Sequence, residues 1–147
     1  SSASKRGLLQ DLGAHEVVVH ARGEDFSPQV RELTQGAGVD VVLDTVGTPV
    51  YQPTRKSLGV AGRWLLVGQL TGDFVPFNPA QLFLKNQSML SVTSTTRRQL
   101  QDVLQLIARA QLKPVIAGEL PLAQAAQAHA ALEAGNTTGR LLLNPML

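Results

Sequence analysis

The sequence predicts an α/β fold built as a doubly wound parallel sheet, and three observations carry the prediction. Two apolar runs rich in β-branched residues, 39–46 and 63–67, read as strands buried on both faces. Each is followed by a glycine, Gly47 and Gly68, where a ligand's backbone could come close. Along the rest of the chain strand-like and helix-like segments alternate, which calls for parallel strands joined by right-handed crossovers. Ligands of such sheets bind at the carboxyl ends of the strands, so the two glycine-ended runs point to a nucleotide site.

Residues 5–12 set Leu8, Leu9 and Leu12 on one helical face, with Gly13 placed to end the helix. The Val17-Val18-Val19 run makes 16–20 a short buried strand, and Ser27-Pro28 supplies an N-cap and a first-turn proline for a helix through Leu33. After the strand 39–46, residues 48–57 read as helix despite Pro49 and Pro53. Asn78-Pro79 caps a short helix, 80–85, and the more polar run 88–93 reads as a strand at a sheet edge. In 97–110, Leu100, Val103, Leu104 and Ile107 fall at i, i+3, i+4 and i+7, an apolar stripe expected to cover the sheet. A strand at 114–117, an alanine-rich helix at 123–134 closed by Gly135, and a last strand at 140–143 complete the series. No repeat, linker or low-complexity tract interrupts it, and 147 residues suit one domain.

Composition narrows the function. With no cysteine the chain has neither a disulfide framework nor a thiolate metal site, which fits a reducing cytoplasm. His15, His20 and His129 stand far apart, none at metal-ligand spacing with another His or a carboxylate. Basic residues are scattered and aromatics make up 4%, so despite a net charge of +2 no nucleic-acid platform is present. No apolar run approaches the roughly 20 residues of a membrane span.

A complete dinucleotide fold also carries G-x-G-x-x-G after its first strand, because those glycines let the backbone reach the pyrophosphate. Here Gly36-Ala37-Gly38 begins like that motif, but Val41 holds the third glycine position and the pair precedes a strand. Residues 12–18 (LGAHEVV), Asp25-Phe26, 38–47 (GVDVVLDTVG), Gly62-Arg63, Val67-Gly68 and Thr138-Gly139-Arg140 stand in an order that resembles the medium-chain dehydrogenase/reductase superfamily. The likeness covers nearly the whole chain and is nearest to the cofactor domain of its quinone oxidoreductase and zinc-type alcohol dehydrogenase branches. It implies an incomplete Rossmann-type domain over 1–147. The first two strands, the glycine-rich loop and the substrate domain would lie upstream, in the missing N-terminal part of the same protein.

The resemblance also assigns ligands. Residues 1–6 would follow the second strand of the cofactor domain, where an acidic residue binds the ribose of NAD and hydroxyl plus basic residues accept the 2′-phosphate of NADP. There is no Asp or Glu there, so NADPH is favoured over NADH, with Ser1, Ser2, Lys5 and Arg6 as phosphate ligands. Read locally, the same residues are equally a solvated helix N-terminus with a serine cap. Thr45, Val46 and Gly47 would lie along the adenosine half, and Val67, Gly68 and Gln69 beside the nicotinamide, with Ser91 and Thr93 completing that pocket. Arg140 would reach the pyrophosphate. Core packing, a turn glycine, edge-strand polarity and a surface arginine are the local alternatives at these positions.

No residue has the spacing of a nucleophile, acid–base pair or metal ligand, so none is assigned a catalytic role. In the family the cofactor carries the chemistry. The expected parent is an NADPH-dependent oxidoreductase that transfers hydride to a carbonyl or activated C=C bond (a quinone, enone or enoyl or acryloyl thioester), with zinc only if the substrate domain supplies it. Residues 44–49 (DTVGTP) and 112–118 (LKPVIAG) look most like its acryloyl-CoA reductase type. The chain alone would be inactive. The alternative from another class is a dimerisation or assembly module pairing through the edge strand 88–93.

Overall fold

The computed structural model describes residues 3–92, 94–135 and 137–147. They form two compact units, one ending at Ser94 and the other comprising Thr95–Leu147. Ser1, Ser2 and Thr93, all anticipated as cofactor ligands, lie outside the described residues.

The first unit holds a three-stranded parallel sheet in the order β1 (Val39–Asp44), β2 (Leu58–Leu66), β3 (Ser88–Ser91). Ahead of it come a 3-10 turn, Ala3–Lys5, helix α1 (Arg6–Asp11) and helix α2 (Ser27–Leu33). A 3-10 turn, Thr48–Val50, leads from β1 into α3 (Tyr51–Ser57), and α4 (Ala80–Phe83) precedes β3. Both awkward prolines are accommodated because they sit in first turns, where a backbone N–H has no intrahelical acceptor to lose. The core is small: Leu58 and Trp64 are fully buried and Tyr51 nearly so, with Val39, Val42, Leu66, Val75 and Met89 packed around them.

In this unit the largest departures from the sequence reading have local causes. Residues 16–20 form no strand, because they pair with none of the three strands of the sheet and an extended run without a ladder is not a strand; Val17 O instead accepts a hydrogen bond from Arg6 Nη2 at 3.2 Å. Strand β2 starts at Leu58, five residues before 63, because Gly59 lacks the Cβ that would meet Ala37 O at 2.8 Å and so lets β1 pair early, across a bulge between Val39 and Val41. Helix α2 begins at Ser27 itself: Asp25 Oδ1 accepts from the Ser27 amide (3.0 Å) and hydroxyl (2.5 Å), the task expected of Ser27 as a cap.

Arg31 on α2 ties the unit together. Its guanidinium donates to the carbonyls of Lys56 (2.8 Å), Gly36 (2.8 Å) and Leu58 (2.9 Å), so one side chain fixes α2 to the end of α3 and the start of β2.

The second unit contains helix α5 (Arg97–Ala108), strand β4 (Ile116–Pro121), helix α6 (Ala125–Glu133) and strand β5 (Arg140–Asn144), with β4 and β5 paired in parallel. The parallel strands thus occur in the expected series but as two sheets. β4 is displaced towards the C-terminus of 114–117 because its register follows β5, Ile116 opposite Arg140 and Pro121 opposite Asn144. A capping box, Thr96 with Gln99, starts α5. The helix is therefore locally determined. Its apolar stripe is not covered, Leu100 and Leu104 being 52% and 55% exposed, while α6 buries Ala128.

Candidate nucleotide site

Everything at the carboxyl end of β1 is arranged around Asp44, which is 4% exposed. Its Oδ2 accepts from the indole Nε1 of Trp64 at 3.1 Å, and its Oδ1 accepts from the amides of Val46 and Gly47, each at 2.9 Å. Its backbone carbonyl accepts from Val67 (2.8 Å) and Gly68 (3.2 Å). A buried carboxylate is tolerated where several N–H donors replace water; here they come from the Trp64 indole on β2 and from the turn after β1, while the turn after β2 bonds to the Asp44 carbonyl. Asp44 therefore sets the shape of both strand ends at once.

The glycines have separate reasons to be there. Gly47 has φ +80° and ψ −130°, and a Cβ on it would coincide with the Gln69 carboxamide oxygen. Gly68 leaves room for Thr45 O, which a Cβ would meet at 2.8 Å. With side-chain carbon absent from both, the turns after β1 and β2 come into direct contact. Gln69 then bridges them: its Oε1 accepts from the Thr48 amide at 2.7 Å, and its Nε2 donates to Thr48 Oγ1 and to Asp73 O at 3.4 Å. Thr48 Oγ1 donates to Asp73 O at 3.0 Å and the Leu70 amide donates to Val46 O at 3.0 Å.

Beside these turns lies a cleft of about 480 Å³, lined by Gly47, Thr48, Val67, Gly68 and Gln69 on its polar rim and by Trp64, Phe77 and Met89 among its apolar walls. Tyr51 also lines it; its ring is tilted 37° against Trp64 with centroids 5.2 Å apart, and its hydroxyl is buried without a hydrogen-bond partner. Burial raises the Tyr51 pKa, an effect Arg55 opposes. A second cleft, about 290 Å³, is lined by Asp44, Thr45, Val46, Thr54, His20 and Phe26 among others. Trp64 lines the first cleft and Asp44, which accepts from its indole, lines the second.

Of the residues singled out in the sequence, the structure gathers Gly47, Val67, Gly68 and Gln69 on the first cleft and Thr45 and Val46 on the second. Lys5 is half-buried at the 3-10 turn, Arg6 is bonded to Val17 O, and Ser91 is exposed on β3 opposite Leu66; none of the three lines either cleft. Arg140 opens β5 in the second unit, its amide donating to Val115 O at 2.8 Å. Thr48, Tyr51, Trp64 and Phe77 were not anticipated. Thr48 alone had a local signal, standing next to a glycine that ends a strand.

Paired turns freed of side chain beside an apolar cleft suit a flat, polar-edged group such as a nicotinamide, held by backbone atoms at a strand's carboxyl end. Among the described residues no group of three or more His, Cys, Asp or Glu is placed to hold a metal. No helix among them is long and apolar enough to cross a membrane.

Comparison with known proteins agrees with this geometry. Residues 12–143 match the family model described as zinc-binding dehydrogenase. The acryloyl-coenzyme A reductase of Sulfurisphaera tokodaii is 28% identical over 146 residues, covering 99% of this chain and 42% of that protein. The quinone oxidoreductase of Rattus norvegicus is 32% identical over 135 residues, covering 88% of this chain and 40% of the relative. The chain therefore spans about two fifths of the length of each of these two relatives. Among solved structures, AibC superposes with a TM-score of 0.87 at 40% identity, over 99% of this chain and 40% of its own. Mycobacterial Rv1454c, complexed with NADPH, does so at 0.78 and 30%, over 99% and 48%. Strand order, glycine-ended turns and these likenesses converge: the chain belongs to the zinc-binding dehydrogenase family of the medium-chain dehydrogenase/reductase superfamily, over the C-terminal part of its cofactor domain.

Proposed function

We propose that this chain forms the nicotinamide side of the cofactor site in an NADPH-dependent oxidoreductase that reduces an activated C=C bond, most closely that of an acryloyl-type thioester. The observation that carries the proposal is the pair of turns at Gly47 and Gly68, brought together by Asp44 and opening on one cleft. The S. tokodaii acryloyl-CoA reductase supports the substrate class, and the NADPH complex of Rv1454c supports the cofactor. When bound, the nicotinamide supplies hydride to the acceptor carbon. The chain's own residues shape the cleft: Trp64 and Phe77 form apolar wall, and Val67 and Gly68 present backbone.

Calorimetric titration of the chain with NADPH and NADH tests the reading. NADPH should bind the more tightly of the two. Affinity should be millimolar, because the sequence has no glycine-rich turn to supply the pyrophosphate's backbone donors. Tighter binding of NADH would contradict it, and micromolar affinity for NADPH would show that the chain holds the pyrophosphate without such a turn.

A second reading, assembly without activity, is favoured by β3. It ends the sheet order with one side unpaired among the described residues, and Leu90 on it is 47% exposed. Pairing of β3 with its counterpart in a second copy would continue the sheet.

A further inference from the structure

We infer that Gln69 and Thr48 are positioning residues for the bound nucleotide: their side chains latch the two glycine-ended turns together and so fix the backbone of Val67 and Gly68 that the ligand meets. The inference rests on reading the larger cleft as the nicotinamide site, and gives that site two residues whose work is done without touching the ligand.

Three observations lead to it. Gln69 uses both ends of its carboxamide inside the chain, accepting from the Thr48 amide at 2.7 Å while its Nε2 faces Thr48 Oγ1 and Asp73 O. A group with its donors and acceptor committed in this way is poorly placed to coordinate a ligand. Secondly, the bridge spans 21 residues of sequence and joins the chain just beyond β1 to the chain just beyond β2. Ladder pairing of those strands ends at Asp44 opposite Leu66, so the side-chain amide continues the connection where the backbone ladder stops. Thirdly, the fit depends on Gly47, whose absent Cβ leaves the space that the Gln69 carboxamide occupies. Side chains 48 and 69 thus form one unit with that glycine, and they lie on the rim of the cleft beside Val67 and Gly68.

A latch of this kind predicts coupling. Thr48→Val removes the hydroxyl that faces Gln69 Nε2 and Asp73 O, and Gln69→Leu removes the amide, so each should weaken NADPH binding about two- to tenfold, the range of one net hydrogen bond. The double variant should be no weaker than the weaker single one, because either change alone opens the latch. Thr48→Ser keeps the hydroxyl and should bind as the unsubstituted chain does. The indole N–H of Trp64, the chain's one tryptophan, is bonded to Asp44 while its ring lines the cleft, so its resonance provides the readout in a chemical-shift titration with NADPH into the millimolar range. Amide hydrogen exchange supplies a second, ligand-free one: the Leu70 amide, bonded to Val46 O, should lose protection in both single variants while amides within β1 and β2 keep theirs. A saturable indole shift with the same affinity in all variants, or with additive losses in the double variant, would overturn the latch and leave the cofactor reading standing. An unsubstituted chain that shows no saturable shift would overturn the cofactor reading, and the latch's role in binding with it. Loss of protection throughout the sheet would show that the two side chains serve general stability, and would also overturn the inference.

Discussion

At the scale of single residues, two carboxylates show how environment decides a role. Asp44 is buried and accepts from Trp64 Nε1 and two amides, so Asp44→Ala would strand three donors at the point where both turns meet. Each unmade bond costs about 1 kcal/mol, and chemical denaturation of the variant should show a loss of about 3 kcal/mol with the denaturant slope unchanged. Asp25 is exposed and paired instead. The Lys56 ammonium at 2.7 Å, followed by the Ser27 hydroxyl and amide, lowers its pKa from 3.8 to about 2. A depressed folded-state value means that the carboxylate stabilises the fold above the unfolded pKa, and that this contribution disappears as pH falls from about 4 through about 2. Asp25→Asn should therefore lower the melting temperature slightly at neutral pH, the exposed pair being screened, and the difference from the unsubstituted chain should close as pH falls over that interval, flattening the acid limb. An unchanged acid limb would show that the contact with Lys56 does not persist in solution.

At the scale of elements, legibility followed locality. Helix α5 could be read almost to its ends because its capping box and stripe are contained within the helix and its cap, and β1 could be read because an apolar run closed by glycine is a local signal. β2 could not be read to its start. Gly59 and Gly62 look like breakers in sequence, yet Gly59 is what lets β1 approach, a fact that exists only once the strands are paired. The failed strand at 16–20 teaches the converse, since three valines confer extended preference but a strand also needs a neighbour. The Gln69–Thr48 bridge had no sequence signal either, because it depends on Gly47's positive φ and on two turns meeting. β3 carries the prediction that belongs here. If its open side pairs two copies, Leu90→Pro should shift the sedimentation of the chain from dimer to monomer; a monomer in both forms would exclude that assembly.

At the scale of the molecule, the first unit has a subassembly that is nearly self-sufficient. β1, α3 and β2 occupy residues 39–66, hold Tyr51, Leu58 and Trp64 among them, and are closed by the Asp44–Trp64 hydrogen bond between residues 20 apart. A core, a crossover helix and a polar clasp within so short a stretch have a kinetic consequence: chain-closure entropy is small for such contacts, so they are the ones a folding chain can make first. The βαβ stretch should therefore act as the folding nucleus, with Leu58→Ala slowing refolding and Leu100→Ala, on the exposed face of α5, leaving the refolding rate unchanged. Stopped-flow refolding followed by Trp64 emission measures both, and equal slowing by the two substitutions would place the nucleus elsewhere. On this reading the Asp44–Trp64 bond that shapes the cleft also determines the order of events in folding, so the cleft's framework is among the first parts of the unit to form.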